Sequence, residues 1–256
     1  MDLLRIEHLN KVFDPNNKQK RHCVIKDLSL TVKDKEFVSL LGPSGCGKTT
    51  LLTMIAGFQR PTGGSIYLRD KIIEGPGVDR GFVFQGYALF PWMTVEENIL
   101  YPLKLKKMSK KAMDERLEQL LTMAHLKGSE KKYPKELSGG MKQRTAVVRA
   151  LAGEPEILLL DEPFSAIDFQ LRQNMQEELG QLLESAHITM VMVTHDVEEA
   201  VYLSDRVIVM SLNEGEIIAD YKIDLPRPRD RKNPAYLAMK EELQGYLSQA
   251  FNNKKQ

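Results

Sequence analysis

The sequence predicts an α/β protein, with a mostly parallel sheet flanked by helices, a small antiparallel β layer and an inserted α-helical subdomain. Short apolar runs alternate with helical stretches, which is typical of a parallel sheet covered on both faces. The strand-like apolar runs are 37–41, 81–84, 157–160, 188–193 and 206–210. Residues 94–151, by contrast, contain almost no strand signal, which indicates a helical subdomain inserted into that core.

The small antiparallel layer is predicted from a different pattern. Residues 3–9 and 24–32 alternate apolar and polar side chains, as expected for strands with one buried face. Residues 65–68 form another short strand-like run, which is entered through turn residues at 61–64. We expect these strands to lie beside the strand at 37–41.

Two helices are predicted inside the inserted subdomain. Ser109 can cap a helix, and a second helix begins near Gly139 and ends before Gly153. The apolar positions of the first helix recur at helical spacing: Met113, Leu117, Leu120, Leu121 and Ala124. The lysine-rich run 104–111 is either a solvated face or a contact with an anionic membrane surface.

A final helix is predicted to start at Asn233-Pro234. Its apolar residues fall on roughly one side, which we expect to pack on the body of the domain: Tyr236, Leu237, Leu243, Tyr246, Leu247 and Phe251. We therefore divide the chain into a domain at 1–225, with the helical subdomain at about 86–152, and a C-terminal helical extension at 226–256.

The chemistry is organised around a loop between a predicted strand and a predicted helix. Its residues are Gly42, Pro43, Ser44, Gly45, Cys46, Gly47, Lys48, Thr49 and Thr50. Strand, Gly-x-x-x-x-Gly-Lys-Thr, helix is the P-loop pattern in its required context. The glycines let backbone N–H groups turn toward phosphate oxygens, and the helix N-terminus adds partial positive charge. Lys48 supplies a charge for the β- and γ-phosphates, and the Thr49 hydroxyl suits a Mg²⁺ ligand. The alternative is a glycine-rich turn that binds nothing, and the correct flanks argue against it.

Two carboxylates, Asp161 and Glu162, follow the apolar run 157–160. Ligands of open α/β sheets bind outside the carboxyl ends of the strands, so we expect this pair to meet the P-loop. Asp161 is suited to hold Mg²⁺, and Glu162 to accept a proton from the attacking water or to polarise it. The alternative, a pair of exposed acids in a turn, is less favoured beside a P-loop.

His195 and Gln85 also follow predicted strands. Either side chain can reach the γ-phosphate side of a nucleotide from that edge of the sheet. Spacing alone leaves a purely structural role open for both residues.

Composition and charge exclude some functions. A formal net charge of +1 argues against nucleic acid as the main partner. The two cysteines, Cys23 and Cys46, make no disulfide framework, which fits a reducing compartment. No apolar run approaches the roughly 20 residues that span a bilayer, so we expect any membrane role to come through a partner.

The stretch 137–144, Leu-Ser-Gly-Gly-Met-Lys-Gln-Arg, resembles the signature motif of ATP-binding cassette (ABC) proteins. Physically it is a second glycine-rich helix N-terminus that suits an anion. The resemblance covers about residues 3–215 and implies an ATPase with a RecA-like core. It also implies two cassettes arranged head to tail around two ATP molecules, so that Ser138, Gly139 and Gly140 contact the nucleotide of the neighbouring subunit.

The same resemblance implies roles for single residues. Gln85 matches the glutamine of the Q-loop, beside Mg²⁺, and His195 matches the switch histidine. Residues 165–168 match the D-loop. Phe13 matches the aromatic residue that stacks on adenine, although a position in the core stays open for it. ATP and Mg²⁺ are the bound species that the family implies.

Residues 75–77, 79–85 and 89–95 narrow the resemblance to the nitrate/sulfonate/taurine importer ATPases. This implies uptake of a small anionic solute through a separate integral membrane permease, fed by an extracytoplasmic solute-binding protein. The chain is then expected to work with a second copy of itself or a paralogous cassette, at the cytoplasmic face of the cell membrane.

Residues 86–105 contain several large apolar groups, including Tyr87 and Trp92, which either dock the permease or pack under the helical subdomain. Two other function classes fit the sequence less well. A DNA-repair ABC ATPase carries a long coiled coil and a ribosome-acting one carries two cassettes, and neither pattern is found here. A P-loop kinase or GTPase does not explain the Ser138-Gly139-Gly140 motif or His195.

Overall fold

A computed structural model of the chain describes residues 1–14, 22–164 and 169–252, without the side chains of 169–172. The strands are β1 (Asp2–Phe13), β2 (His22–Lys33), β3 (Phe37–Leu41), β4 (Gly63–Leu68), β5 (Lys71–Ile72), β6 (Arg80–Val83), β7 (Ile157–Asp161), β8 (Thr189–Thr194), β9 (Arg206–Met210) and β10 (Ile217–Lys222). The α-helices are α1 (Lys48–Ile55), α2 (Val95–Leu105), α3 (Lys110–Met123), α4 (Gly139–Ala152), α5 (Phe169–Ala186), α6 (Val197–Leu203) and α7 (Pro234–Asn252). The predicted D-loop at 165–168 lies outside the described residues.

The chain divides into two compact units. The first comprises Met1–Gly77 and Thr189–Gln256, and the second comprises Val78–Ile188. The subdomain boundaries proposed from the sequence, at about 86–152 and 226–256, stay predictions.

The first unit contains parallel strands in the order β9-β3-β8, and β10 pairs antiparallel with β9. Every residue of β3 and β8 is buried, as expected for parallel strands that are covered on both faces. The predicted strands at 37–41, 188–193 and 206–210 are confirmed, and so is the α/β class. The sequence analysis missed β10, because its side chains are mostly half-buried and form no continuous apolar run.

The first unit also contains the antiparallel sheet, in the order β2-β1-β4-β5. In β1, which lies between β2 and β4, Ile6 pairs with Leu30 of β2 and with Ile66 of β4. Alternate residues of β2 are buried, which confirms the prediction of strands with one buried face.

The second unit contains the parallel pair β6 and β7 together with helices α2 to α5. Helix α3 begins after Ser109, whose hydroxyl accepts from Ala112 N at 3.3 Å, as predicted. The sequence analysis missed α2 as a separate helix. Its signal was the capping box Thr94-Val-Glu-Glu97, in which the Thr94 hydroxyl accepts from Glu97 N and the Glu97 carboxylate accepts from Thr94 N at 2.8 Å.

The C-terminal helix α7 lies in the first unit, but its predicted apolar stripe is partly wrong. Tyr236, Leu243 and Ala250 are fully buried in a cluster with α6 and β9. Leu237 and Phe251 are 51% and 56% exposed. The buried residues recur every seven positions, and a residue one position later points about 100° away around the helix. In the described ranges, no helix combines the length and apolar character needed to cross a bilayer.

Candidate nucleotide-binding and hydrolysis site

The P-loop connects β3 to α1 in the first unit, and its backbone requires glycine. Gly45 and Gly47 have φ angles of 86° and 100°, in the left-handed region that side chains disfavour. A Cβ on Gly42 would lie 2.4 Å from the carbonyl oxygen of Met210 and 2.9 Å from Cys46 Sγ. Ser44 and Gly45 form the exposed tip. The loop therefore has the shape of a backbone cradle that ends at the N-terminus of a helix.

Lys48 is folded into this loop. Its side chain is buried, and Nζ donates to the carbonyl oxygens of Gly42 at 2.7 Å and Pro43 at 2.9 Å. Both acceptors are neutral carbonyl oxygens, so these two hydrogen bonds hold the ammonium group without cancelling its charge. A fixed positive charge among backbone amides fits the phosphates of a nucleotide.

Cys46 lies beside that charge, with its Sγ 3.8 Å from Lys48 Nζ. Burial raises the pKa of the Cys46 thiol above its ordinary value, and the Lys48 charge opposes part of that rise. Thr49 is exposed and Thr50 is half-buried at the start of α1. The metal-binding role of the Thr49 hydroxyl stays a prediction.

His195 follows β8 in the first unit and is exposed. The residues on either side of it are tied together, because Thr194 Oγ1 accepts from Asp196 N at 3.0 Å. Asp196 caps α6 by accepting from Glu198 N at 2.7 Å. The buried Glu199 carboxylate accepts from the Thr194 hydroxyl at 2.5 Å, so Thr194 also connects β8 to the first turn of α6.

In the second unit, Gln85 and Glu162 lie in contact. Gln85 follows β6, Glu162 follows β7, and Gln85 Nε2 donates to Glu162 Oε2 at 3.2 Å. Glu162 has a φ of 44°, an uncommon conformation for a residue with a side chain. The parallel pairing of β6 and β7 explains the contact, since it brings the carboxyl ends of both strands to one edge.

Asp161 is the last residue of β7 and is half-buried. Among the described residues, no group of three or more His, Cys, Asp and Glu side chains could hold a metal ion by itself. The predicted Mg²⁺ ligands are one carboxylate, one hydroxyl and one amide, from Asp161, Thr49 and Gln85, and they do not depend on such a group.

The signature residues open α4 in the second unit. Ser138 is the N-cap, and its hydroxyl accepts from Met141 N at 3.3 Å. Ser138 and Gly139 are exposed. A Cβ on Gly140 would lie 3.1 Å from Met175 Cε, so a larger residue there would crowd α5. The exposed N-terminus of this 14-residue helix suits an anion.

The segment that follows Gln85 is held in a strained form. Gly86, Tyr87 and Ala88 have successive φ angles of 82°, 71° and 47°. The Arg149 guanidinium donates to the carbonyl oxygens of Ala88 at 2.7 Å and Tyr87 at 3.2 Å. Burial lowers the pKa of Arg149 below its ordinary value, although arginine stays charged.

Asn98 of α2 and Arg149 of α4 hold this loop in place, and the sequence analysis missed both residues. Asn98 is fully buried, and its Nδ2 donates to the carbonyl oxygens of Met93 and Thr94 at 3.1 and 2.9 Å. The available signal for Asn98 was an amide side chain on the apolar side of an amphipathic helix. No local pattern in the sequence marked Arg149. Trp92, in contrast, is 69% exposed at the surface of the loop.

Phe13, predicted to stack on adenine, is 39% exposed at the end of β1. Lys11 Nζ lies 4.9 Å from the centre of its ring. The core position that the sequence left open for Phe13 is therefore ruled out, and its role toward adenine stays a prediction.

Comparison with known proteins gives consistent relatives. The family model described as ABC transporter matches residues 25–165. The aliphatic sulfonates import ATP-binding protein SsuB of Bacillus licheniformis is 45% identical over 220 residues, which cover 86% of this chain and 85% of that protein. The nitrate import ATP-binding protein NrtC of Synechococcus elongatus is 42% identical over 254 residues, 96% of this chain but only 38% of that longer protein.

A solved structure is also similar. It is a dimeric ATP-binding cassette in a post-hydrolysis state, bound to ADP and phosphate, with 33% identity and a TM-score of 0.73. The match covers 87% of this chain and all of that one. The family model and the relatives at 42–45% identity over most of the chain show that the chain belongs to the ABC transporter family.

Proposed function

We propose that this chain is the ATP-hydrolysing subunit of an importer for small anionic solutes. The observation that carries the proposal is the cradle of the P-loop, in which Lys48 is buried against the carbonyl oxygens of Gly42 and Pro43. Membership of the ABC transporter family supports ATP as the nucleotide, as does a neighbouring structure that contains ADP and phosphate.

Within this function, each site residue has a proposed task. Lys48 and the loop amides hold the β- and γ-phosphates, and Thr49, Gln85 and Asp161 hold Mg²⁺. The bound Mg²⁺ supplies charge neutralisation at the phosphates. Glu162 takes the proton of the attacking water, and the amide of Gln85 orients its carboxylate through the 3.2 Å hydrogen bond. His195 contacts the γ-phosphate side of the nucleotide, and Phe13 stacks on the adenine.

The proposed partners follow from the exposed anion-binding helix and from the relatives. Ser138, Gly139 and Gly140 close over ATP bound to a second cassette, either another copy or a paralogue. The similar solved structure is itself a dimer. The relatives are named as import proteins, which supports an integral membrane permease as the partner and the cytoplasmic face of the membrane as the location. An extracytoplasmic solute-binding protein completes the proposed system.

The solute class rests on the relatives. Aliphatic sulfonates and nitrate, the solutes in two of their names, are small anions. The chain itself offers no contact to the solute under this proposal, because the permease encloses the path across the membrane. The choice among such anions therefore belongs to the partner subunits.

The test measures phosphate release and uptake. We expect the purified chain to release phosphate from ATP with Mg²⁺ and to stop when Mg²⁺ is chelated. Reconstituted with its permease in vesicles, it should accumulate a sulfonate or nitrate but not a cation of similar size. Absence of phosphate release from the reconstituted complex contradicts the ATPase assignment. ATP-dependent uptake of the cation alone contradicts the solute class.

A further inference from the structure

Three arginines near the C-terminal end, Arg227, Arg229 and Arg231, have no part in the proposed chemistry, yet all three contact helix α6. Arg229 is only 6% exposed, and its Nη1 donates to the carbonyl oxygens of Val201 at 2.6 Å and Tyr202 at 3.1 Å. Arg227 Nη2 donates to Leu203 O at 2.6 Å. These bonds satisfy the last-turn carbonyls of α6, where positive charge is favoured.

The first turn of α6 is held as well, through the carboxylate of Glu198. Arg231 Nε donates to Glu198 Oε1 at 3.1 Å, and the Tyr236 hydroxyl donates to the same oxygen at 3.2 Å. Lys240 forms an ion pair with the other oxygen, Oε2. Burial and the neighbouring Glu198 carboxylate raise the pKa of Tyr236, so the phenol keeps the proton that it donates.

The guanidinium of Arg231 links the two ends of the helix. Its Cζ lies 3.8 Å from the centre of the Tyr202 ring while its Nε binds Glu198. Together with the burial of Tyr236, Leu243 and Ala250 against α6 and β9, these contacts attach α7 firmly to α6. We call the segment from Arg227 to the end of α7 the C-terminal clamp.

Helix α6 needs such support because it contains only seven residues. Isolated helices shorter than about 12 residues are marginal in water, so tertiary contacts must fix its position. His195 directly precedes the α6 cap residue Asp196, and Thr194 is hydrogen-bonded to both Asp196 and Glu199. A shift of α6 therefore moves the backbone that carries His195.

We propose that the C-terminal clamp positions His195 for ATP hydrolysis, with Glu198 as the central positioning residue. The inference rests on the proposed function and gives a task to a segment that catalysis does not otherwise use. Glu198 does not touch the nucleotide under this proposal, and it acts only through α6.

The test compares two variants of matched chemistry. Glu198→Gln keeps the shape of the side chain but weakens its bonds to Arg231 and Lys240. Glu242→Gln is the control, since Glu242 also lies on the clamp but accepts from Tyr221 of β10 at 2.7 Å. We expect Glu198→Gln to lower kcat by between about threefold and thirtyfold, the usual range for a residue that acts on a site through other residues. The KM for ATP should change little, because Glu198 does not touch the nucleotide. Glu242→Gln should keep kcat within about twofold of the unmodified chain.

A double variant separates positioning from simple stability. If Glu198 acts through His195, then Glu198→Gln in a His195→Ala background should lower kcat no further than His195→Ala alone. Losses that multiply, or a lower melting temperature with unchanged kcat, overturn the inference. Tyr236→Phe, which removes a single hydroxyl, replaces Glu198→Gln if that protein does not fold, and the same outcomes decide. Full activity of His195→Ala refutes the role of His195, whereas an inactive unmodified chain refutes the proposed function itself.

Discussion

At the scale of the residue, Lys48 is the charged group that we propose for binding the phosphates of the nucleotide. Its ammonium group bonds to carbonyl oxygens of its own loop at 2.7 and 2.9 Å. Phosphate oxygens are charged and form stronger bonds with ammonium than neutral carbonyls do. Binding of a nucleotide is therefore expected to take over these bonds while the lysine stays in the cradle.

Replacement of Lys48 by Ala removes this charge. We expect nucleotide binding to weaken and ATP turnover to fall by at least about a hundredfold, since the lost charge faces the phosphates throughout the reaction. Phosphate release and a fluorescent nucleotide titration measure the two effects. Lys26→Ala, a surface lysine 3.5 Å from Glu214, is the control and should keep full turnover. Unmodified turnover in Lys48→Ala refutes the assigned role.

The thiol of Cys46 reports on the same charge. Burial raises its pKa and Lys48 partly counteracts this, so Lys48→Met should raise the pKa further. Because the thiolate is the reactive form, alkylation of Cys46 near pH 8 should then slow, and it should accelerate as the pH rises. Mass spectrometry after iodoacetamide treatment measures the rate, with Cys23 as internal reference. Equal or faster labelling in Lys48→Met contradicts the electrostatic effect, and ATP should protect Cys46 but not Cys23.

At the scale of the element, the loop between β6 and α2 combines a rigid base with an exposed tip. Arg149 and the buried Asn98 hold its backbone through carbonyl oxygens. Phe90 lies beside Trp92 and Tyr101, with ring centres 5.7 and 4.8 Å away. We predict that this exposed aromatic group docks the permease, because a loop whose backbone is already held loses little conformational entropy on binding.

Two loop variants should separate stability from coupling. Arg149→Gln leaves the Tyr87 and Ala88 carbonyls without their guanidinium donors, so we expect the free energy of unfolding to fall by about 1–3 kcal/mol. Trp92→Ala removes an exposed ring and should cost less than about 0.5 kcal/mol. Urea unfolding measures the free energy of unfolding of both variants.

In vesicles with the permease, the Trp92→Ala protein should keep basal ATPase activity but lose uptake. Unchanged uptake with intact assembly excludes the docking role of Trp92.

At the scale of the whole molecule, the proposed function divides each nucleotide site between two chains, because Ser138 closes over ATP bound to a second cassette. Within one chain, the cradle and Lys48 lie in the first unit, and Ser138 and Glu162 lie in the second. Under the proposed function, the exposed N-terminus of α4 contacts the phosphates of a partner's ATP, which holds the two cassettes together until it is hydrolysed.

Glu162→Gln tests this arrangement. The variant keeps the size of the side chain and loses the base, so hydrolysis should slow by about 10²–10⁴-fold while binding survives. Uncleaved ATP should then hold the cassettes together, and light scattering with ATP and Mg²⁺ should detect a dimer. A further Ser138→Arg substitution places bulk and charge at the N-terminus of α4 and should abolish the dimer. A Glu162→Gln protein that stays monomeric at saturating ATP removes the main support for the head-to-tail model.

Much of the fold was predictable because its signals are local. The mostly apolar strands β3 and β8, the Ser109 cap and the start of α4 at Gly139 each depend on residues that are close in sequence. Strand β10 was missed because its side chains are mostly half-buried and give no apolar run. Leu237 was wrongly assigned to the buried side of α7, because the buried residues recur every seven positions and Leu237 lies one position after one of them.

The sequence by itself determined the chemistry of the chain: a glycine cradle with Lys48, carboxylates after a buried strand, and a second glycine-rich helix start. Only the tertiary structure decided which groups touch. The Gln85–Glu162 bond joins positions 77 residues apart, and the bond from Arg229 to Val201 spans 28 residues. Such contacts depend on how strands pair and helices pack, and no local pattern of residue types encodes them.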